Sequence, residues 1–243
     1  MTRFPFSRPA TLALLAAASA LLSHCAAGGG GGGGKFNAAA VQPAANALAA
    51  RINACHATSD SVQASKSNEG TAVSTTSHST MSYSGAQISS GGVLQLTQTE
   101  QISERKRFPT FVSDEQNSVT VSSVIPLTKV DDISLNEWNG FTPGGSAVSV
   151  SKHASGTTAN LRTKTRYHVA VGTSASGWTA IKNTTTHAGT NLWGQPYSTT
   201  NTEKNPYGTV ATFNTHAEAV AFAKDLQSLV SQYRGGQAPT FNP

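Results

Sequence analysis

Apolar positions along this chain change their period several times, and each change marks an element. Ala45, Leu48, Ile52 and Cys55 recur at three- and four-residue spacing, which predicts a short amphipathic helix over residues 41–57 with Pro43 at its first position. Cys55 then lies on the buried side, where a thiol acts as a small core residue, while His56 beside it points to solvent. Residues 58–70 are polar and rich in structure breakers, and they read as a linker. From Thr71 the period drops to two. TAVSTTSHSTMSYSG and GGVLQLTQTEQIS alternate, with Gly85 and Gly91-Gly92 between them, so each predicts a strand with one weakly apolar face. Pro109 in FPTFV favours a sheet edge. Val119 and Val121 share a face, Val124 and Ile125 break the phase, and Pro126 marks a bulge or an edge. FTPGG at 141–145 is a turn, and Ala147 to Lys152 a short strand.

The clearest alternation is LRTKTRYHVAVGT. Leu161, Thr163, Thr165, Tyr167, Val169 and Val171 fall on one face, and Arg162, Lys164, Arg166, His168 and Ala170 on the other. A stretch rich in Trp, Asn and Gly follows, carrying one strand from Thr184 to Trp193 and then a long loop ending near Gly208. Thr209 to Phe213 is a strand. Thr215 and Glu218 have the spacing of a capping box. The helix after them places Phe222, Leu226, Leu229, Val230 and Tyr233 on one stripe, and Gly235-Gly236 ends it. The predicted fold class is α+β: a bent antiparallel β-sheet or partly open barrel of about seven strands, capped by a C-terminal amphipathic helix and preceded by a short N-terminal one. The β-rich domain spans 71–234, and 235–243 is a disordered tail.

Composition narrows the class. Hydrophobic residues make up 37% and charged residues 12%, while Ser and Thr together reach roughly a quarter, above ordinary globular usage. That balance suits a β-rich exported protein with a wet sheet face. The net charge is +5, and setting aside Arg3 and Arg8 leaves 15 basic against 12 acidic residues. Such an excess, without a Lys/Arg block, does not argue for nucleic acid.

Arg3 and Arg8 precede the short apolar run LALLAAASALL. The run is too short for a membrane span of about 20 residues and fits a signal peptide over 1–24. Leu22-Ser23-His24-Cys25 resembles the lipobox of bacterial lipoproteins, with His24 where that family has a small residue. The resemblance implies a lipidated Cys25, and membrane attachment through it. Ordinary cleavage after Ala27 or Ala20 is the alternative. Gly28 to Gly34 would then be a tether within 25–40, spanning about 15–20 Å as a random coil. Cys25 and Cys55 are the only cysteines, so no disulfide framework is expected. No Asp follows Cys25, which leans toward the outer membrane, facing the periplasm or the surface. The alternative is a soluble periplasmic or secreted protein.

The second half, from about Ser118 to Tyr233, loosely resembles pleckstrin-homology-like domains. VIPLTKVDDISL and a last strand lead there into one C-terminal helix. The resemblance implies that shape only. The family's lipid-binding basic residues lie on an early hairpin, whereas here the basic row is on a later strand, so no binding site carries over.

Candidate chemistry is sparse. Ser149-Val150-Ser151-Lys152 matches S-x-x-K of penicillin-recognising enzymes, but the partner motifs are missing and the segment reads as a strand. His56, His78, His153, His168, His187 and His216 show no metal spacing. Asn183-Thr184-Thr185 is a glycosylation sequon. No catalytic residue, metal site or cofactor is expected. The row Arg162, Lys164, Arg166 and His168 would make a basic stripe about 20 Å long. It would suit an anionic lipid, an envelope glycan or an envelope protein; the alternative is an outer strand kept soluble by charge. An aromatic loop with Trp178, Trp193 and Tyr197 is a second candidate surface. The sequence-based expectation is a non-enzymatic envelope protein of binding or assembly type. Alternatives are a soluble periplasmic hydrolase and an accessory subunit of a larger envelope complex.

Overall fold

A computed structural model describes residues 37–67, 72–137, 147–153, 156–162, 166–173, 180–190 and 194–243. The leader, Cys25, the glycine tether, the turn at 141–145, Lys164, Trp178 and Trp193 lie outside them. Helix α1 (Ala38–Ala54) leads into β1 (His56–Ser67), β2 (Ala72–Ile88), β3 (Val93–Arg107) and β4 (Val112–Pro126). A single 3-10 turn (Leu127–Lys129) precedes β5 (Asp132–Glu137), β6 (Ala147–His153), β7 (Gly156–Arg162) and β8 (Tyr167–Gly172). Then come β9 (Ile181–Thr190), β10 (Pro196–Asn205), β11 (Tyr207–Phe213), α2 (His216–Tyr233) and β12 (Thr240–Asn242).

The strands form two sheets. The larger has the order β10-β9-β4-β3-β2-β1-β7-β6, and the smaller β11-β8-β5-β12. All pairings are antiparallel except β12 with β5. The class is α+β, as the pattern predicts, but the sheets are open and the strands outnumber the seven expected.

Period-two alternation explains the layering. On β8, the even face meets the large sheet through His168, which bonds Thr212 of β11, which bonds Tyr83 of β2. The odd face meets α2: Tyr167 packs edge-on against His216, and Phe213 of β11 against Phe222. The small sheet is thus covered on both sides. On α2, Phe222, Leu226, Leu229 and Val230 are fully buried and Tyr233 nearly so, the stripe the sequence predicts. Thr215 caps it as expected, with the Glu218 N–H donating to Thr215 Oγ1 at 3.3 Å, while the Glu218 carboxylate reaches back to accept from the Thr215 hydroxyl at 2.6 Å. Helix α1 packs on β2 and is fixed by Asn53, which exchanges side-chain hydrogen bonds with the backbone of Ala86. Arg51 joins it to α2 through Asp225 and lies over the Phe222 ring.

Several boundaries differ from the pattern. Helix α1 begins earlier, capped by Asn37, so Pro43 sits in its second turn. Residues 58–67, expected in a linker, belong to β1, paired between β2 and β7. Pro109 lies in the β3–β4 connection, where Phe108 and Phe111 stack at 4.3 Å and the Phe108 N–H donates to the Phe111 carbonyl. The stretch from Leu161 to Val171 is not one strand. Its start belongs to β7 in the large sheet and its end to β8 in the small one. The long loop expected before Gly208 contains β10.

Candidate functional site

The division of Leu161–Val171 dismantles the expected basic stripe. The backbone of Arg162 pairs with Ser61 and Ala147 in the large sheet. Lys164 lies outside the described residues. Arg166, just before β8, is 1% exposed, and His168 is 7% exposed. Both face the space between the sheets rather than water. The charge at Arg166 is met there by Glu100 of β3, at 2.8 Å, and the Ser79 hydroxyl donates to the same carboxylate oxygen at 2.8 Å.

Beside this pair runs a chain of neutral polar groups. Thr212 Oγ1 lies 2.6 Å from the Tyr83 hydroxyl and 2.9 Å from His168 Nδ1. Burial, reinforced by the Arg166 charge, lowers the His168 pKa to about 4, so the imidazole is neutral at pH 7. Burial also raises Tyr83 above the ordinary phenol range. Cys55, at the C-cap of α1, is buried and its thiol is pushed up to about 12 by desolvation. It fits the core role read from its spacing. Neither Tyr83 nor Cys55 is ionised near neutrality.

Tyr83 connects the interior to a cleft of about 280 Å3 between the sheets. The Tyr83 hydroxyl donates to Gln98 Oε1 at 3.2 Å, and Gln98 lines the cleft with Ser123, Asn183, Thr185, Tyr207 and Thr209. Asn183 is 9% exposed and accepts from the Ser123 hydroxyl at 2.8 Å. Its burial makes the sequon at 183–185 unsuited to carry a glycan. Sequence reasoning missed this cleft because its residues come from β3, β4, β8, β9 and β11.

The opposite face of the large sheet carries a second arrangement that the pattern only hinted at. Strand register places Ser84, Thr97, Ser122, Thr184 and Thr202 in one rank across β2, β3, β4, β9 and β10. The next rank is Ser82, Thr99, Thr120, Thr186 and Thr200. Every position in both ranks is a hydroxyl residue, and all are exposed or half-exposed. Hydrogen bonds run along the ranks: Thr97 to Ser122 at 3.2 Å, and Thr184 to Thr202 and Thr186 to Thr200 at 3.0 Å. Neighbours in a rank are about 4.8 Å apart, and the ranks about 6.7 Å. Charges lie at the margins, with Lys182 beside Lys204 on one side and the Asp60–His78 pair on the other.

Among the described residues, no group of three or more His, Cys, Asp or Glu gathers to hold a metal. No helix among them is long and apolar enough to cross a membrane. The S-x-x-K stretch falls within β6. No family model matches the chain, and no curated protein or solved structure matches it either.

Proposed function

We propose that this chain is an exported, lipid-anchored envelope protein that acts by binding or assembly rather than by catalysis. One observation carries the binding part: the two uncharged hydroxyl ranks across five neighbouring strands. Hydroxyl groups both donate and accept, so such a face engages a neutral, hydrogen-bonding surface at many points, each weak alone. The leader and the lipobox-like Leu22–Cys25 support the anchor. The glycine run supports a domain held off the bilayer, on the outer membrane and facing the periplasm or the surface. Binding at a face rich in weak contacts gains from such tethering, because attachment raises the effective concentration.

The test is co-sedimentation of the full chain with envelope fractions from its own host, combined with the mass of its N-terminal peptide. Wild type is compared with Cys25→Ser, and Cys25→Ser with Cys25→Ser/Thr120→Arg/Thr186→Arg, which places two bulky charges in one rank without an acyl chain to hold the protein in the membrane. An acylated Cys25 and reduced envelope association in both comparisons are expected. An unmodified N-terminus refutes the anchor, and association of the rank variant equal to that of Cys25→Ser refutes the face.

A further inference from the structure

We propose that the cleft between the two sheets is a binding site for a single neutral sugar residue. This inference is independent of the tether and of the outer hydroxyl face. It starts from the two amides. Asn183 uses its oxygen to accept from Ser123, and Gln98 uses its oxygen to accept from Tyr83. Each oxygen is turned to a protein hydroxyl, which leaves the amide N–H groups as what each side chain offers to the cleft. Asn183 is held there by burial on β9, so its orientation is set before any ligand arrives. Thr185 and Thr209 add hydroxyls that work in either direction.

Charge narrows the ligand. Among the described residues, no Asp, Glu, Lys, Arg or His lines the cleft. Arg166, in the interior beside Tyr83 and His168, is engaged by Glu100. A carboxylate entering this space would lose water without gaining a counter-charge. A neutral molecule rich in acceptors does not meet that penalty, and a sugar ring, with a hydroxyl or ring oxygen on most carbons, is such a molecule.

Shape narrows it further. Tyr207 is 63% exposed and stands at the mouth. Its ring lies beside Gly172 of β8, where an added Cβ would come within 3.0 Å of Cε1. An aromatic ring so placed gives the C–H side of a pyranose an apolar surface, with the phenol available at its edge. Val121 and Ala170 continue the apolar wall. A volume of about 280 Å3 lies at the small end of ligand sites and holds one ring rather than an oligosaccharide.

The experiment is NMR titration of the purified full chain, following the side-chain amide signals of Gln98 and Asn183. The probes are neutral hexoses and N-acetylhexosamines, with acetate and glycine as small charged controls. Saturable shifts of both amide pairs are expected with at least one sugar, at a Kd of order 1 mM. Tyr207→Ala, at an exposed position, should weaken binding about tenfold or more with an unchanged melting temperature. Asn183→Asp, which replaces the amide donors with acceptors, should weaken it similarly. Three results overturn the proposal: no sugar moves the amide signals, acetate or glycine moves them at lower concentration than any sugar, or Tyr207→Ala binds as wild type does.

Discussion

The Arg166 guanidinium and the Glu100 carboxylate meet at 2.8 Å between the two sheets, with Arg166 almost fully buried and the Glu100 side chain 14% exposed. The pair joins the segment entering β8 to β3, so one ion pair bridges both sheets. Losing one partner leaves the other charge in a dry setting. Arg166→Met should therefore destabilise by about 3–5 kcal/mol. Arg166→Met combined with Glu100→Leu should recover much of that loss, since no unpaired charge remains. Urea denaturation midpoints check both. A single variant as stable as wild type would show that the pair does not hold the sheets together.

His168 makes stability depend on pH in a stated direction. Its folded pKa is about 4 against 6.5 for the ordinary group. Between these values the unfolded chain binds the proton and the folded chain does not, so stability falls as pH drops from about 6.5 to about 4. The full effect is at most about 3 kcal/mol. Melting temperatures across this window should fall more steeply for wild type than for His168→Gln. Parallel profiles would contradict a neutral, buried imidazole.

Cys55 should be silent toward alkylating reagents. Its thiol is pushed up to about 12 by burial, and only the thiolate reacts. At pH 8 the native protein should show no modification of Cys55 over a period in which the urea-unfolded chain is fully modified. Intact mass reads the result, and rapid native labelling would place the thiol at the surface.

Two glycines with positive φ separate backbone strain from steric conflict. Gly85 has φ +64 and an added Cβ there meets nothing within 4 Å, whereas Gly92 has φ +76 and its Cβ would lie 2.7 Å from the Tyr233 ring. The Tyr233 hydroxyl donates to the Ser89 carbonyl in the same turn, so the ring is not at liberty to withdraw. Gly85→Ala should cost about 1–2 kcal/mol from the left-handed backbone alone. Gly92→Ala should cost more, by an amount that Gly92→Ala in a Tyr233→Leu background reduces. Equal costs for the two single variants would mean that the ring moves aside freely.

The legible parts of the sequence were those with one face buried and the other wet. The stripe on α2, the Thr215–Glu218 cap and the burial of Cys55 all follow from local spacing, because a helix that covers a core must show its apolar residues every three or four positions. Strand β10 shows the reverse. All but the last of its residues are exposed, so no periodicity exists to read, and the sequence resembled a loop. Strand β1 was hidden too, because its polar segment is held in the sheet by β2 on one side and β7 on the other.

The sequence by itself determined the α+β class, the C-terminal cap and the abundance of hydroxyl residues at alternate positions. Tertiary structure decided what the alternation meant. Arg166 and His168 alternate with Tyr167 and Val169 as a wet face would. Yet α2 covers one side of β8 and the large sheet the other, so both sets are buried and the polar set must pair internally. The hydroxyl ranks likewise exist only through the register of five strands, and the cleft only where β3, β4 and β9 face β8 and β11. Local spacing fixes which side chains share a face. Which face meets water depends on contacts between residues far apart in the chain, and those belong to the fold.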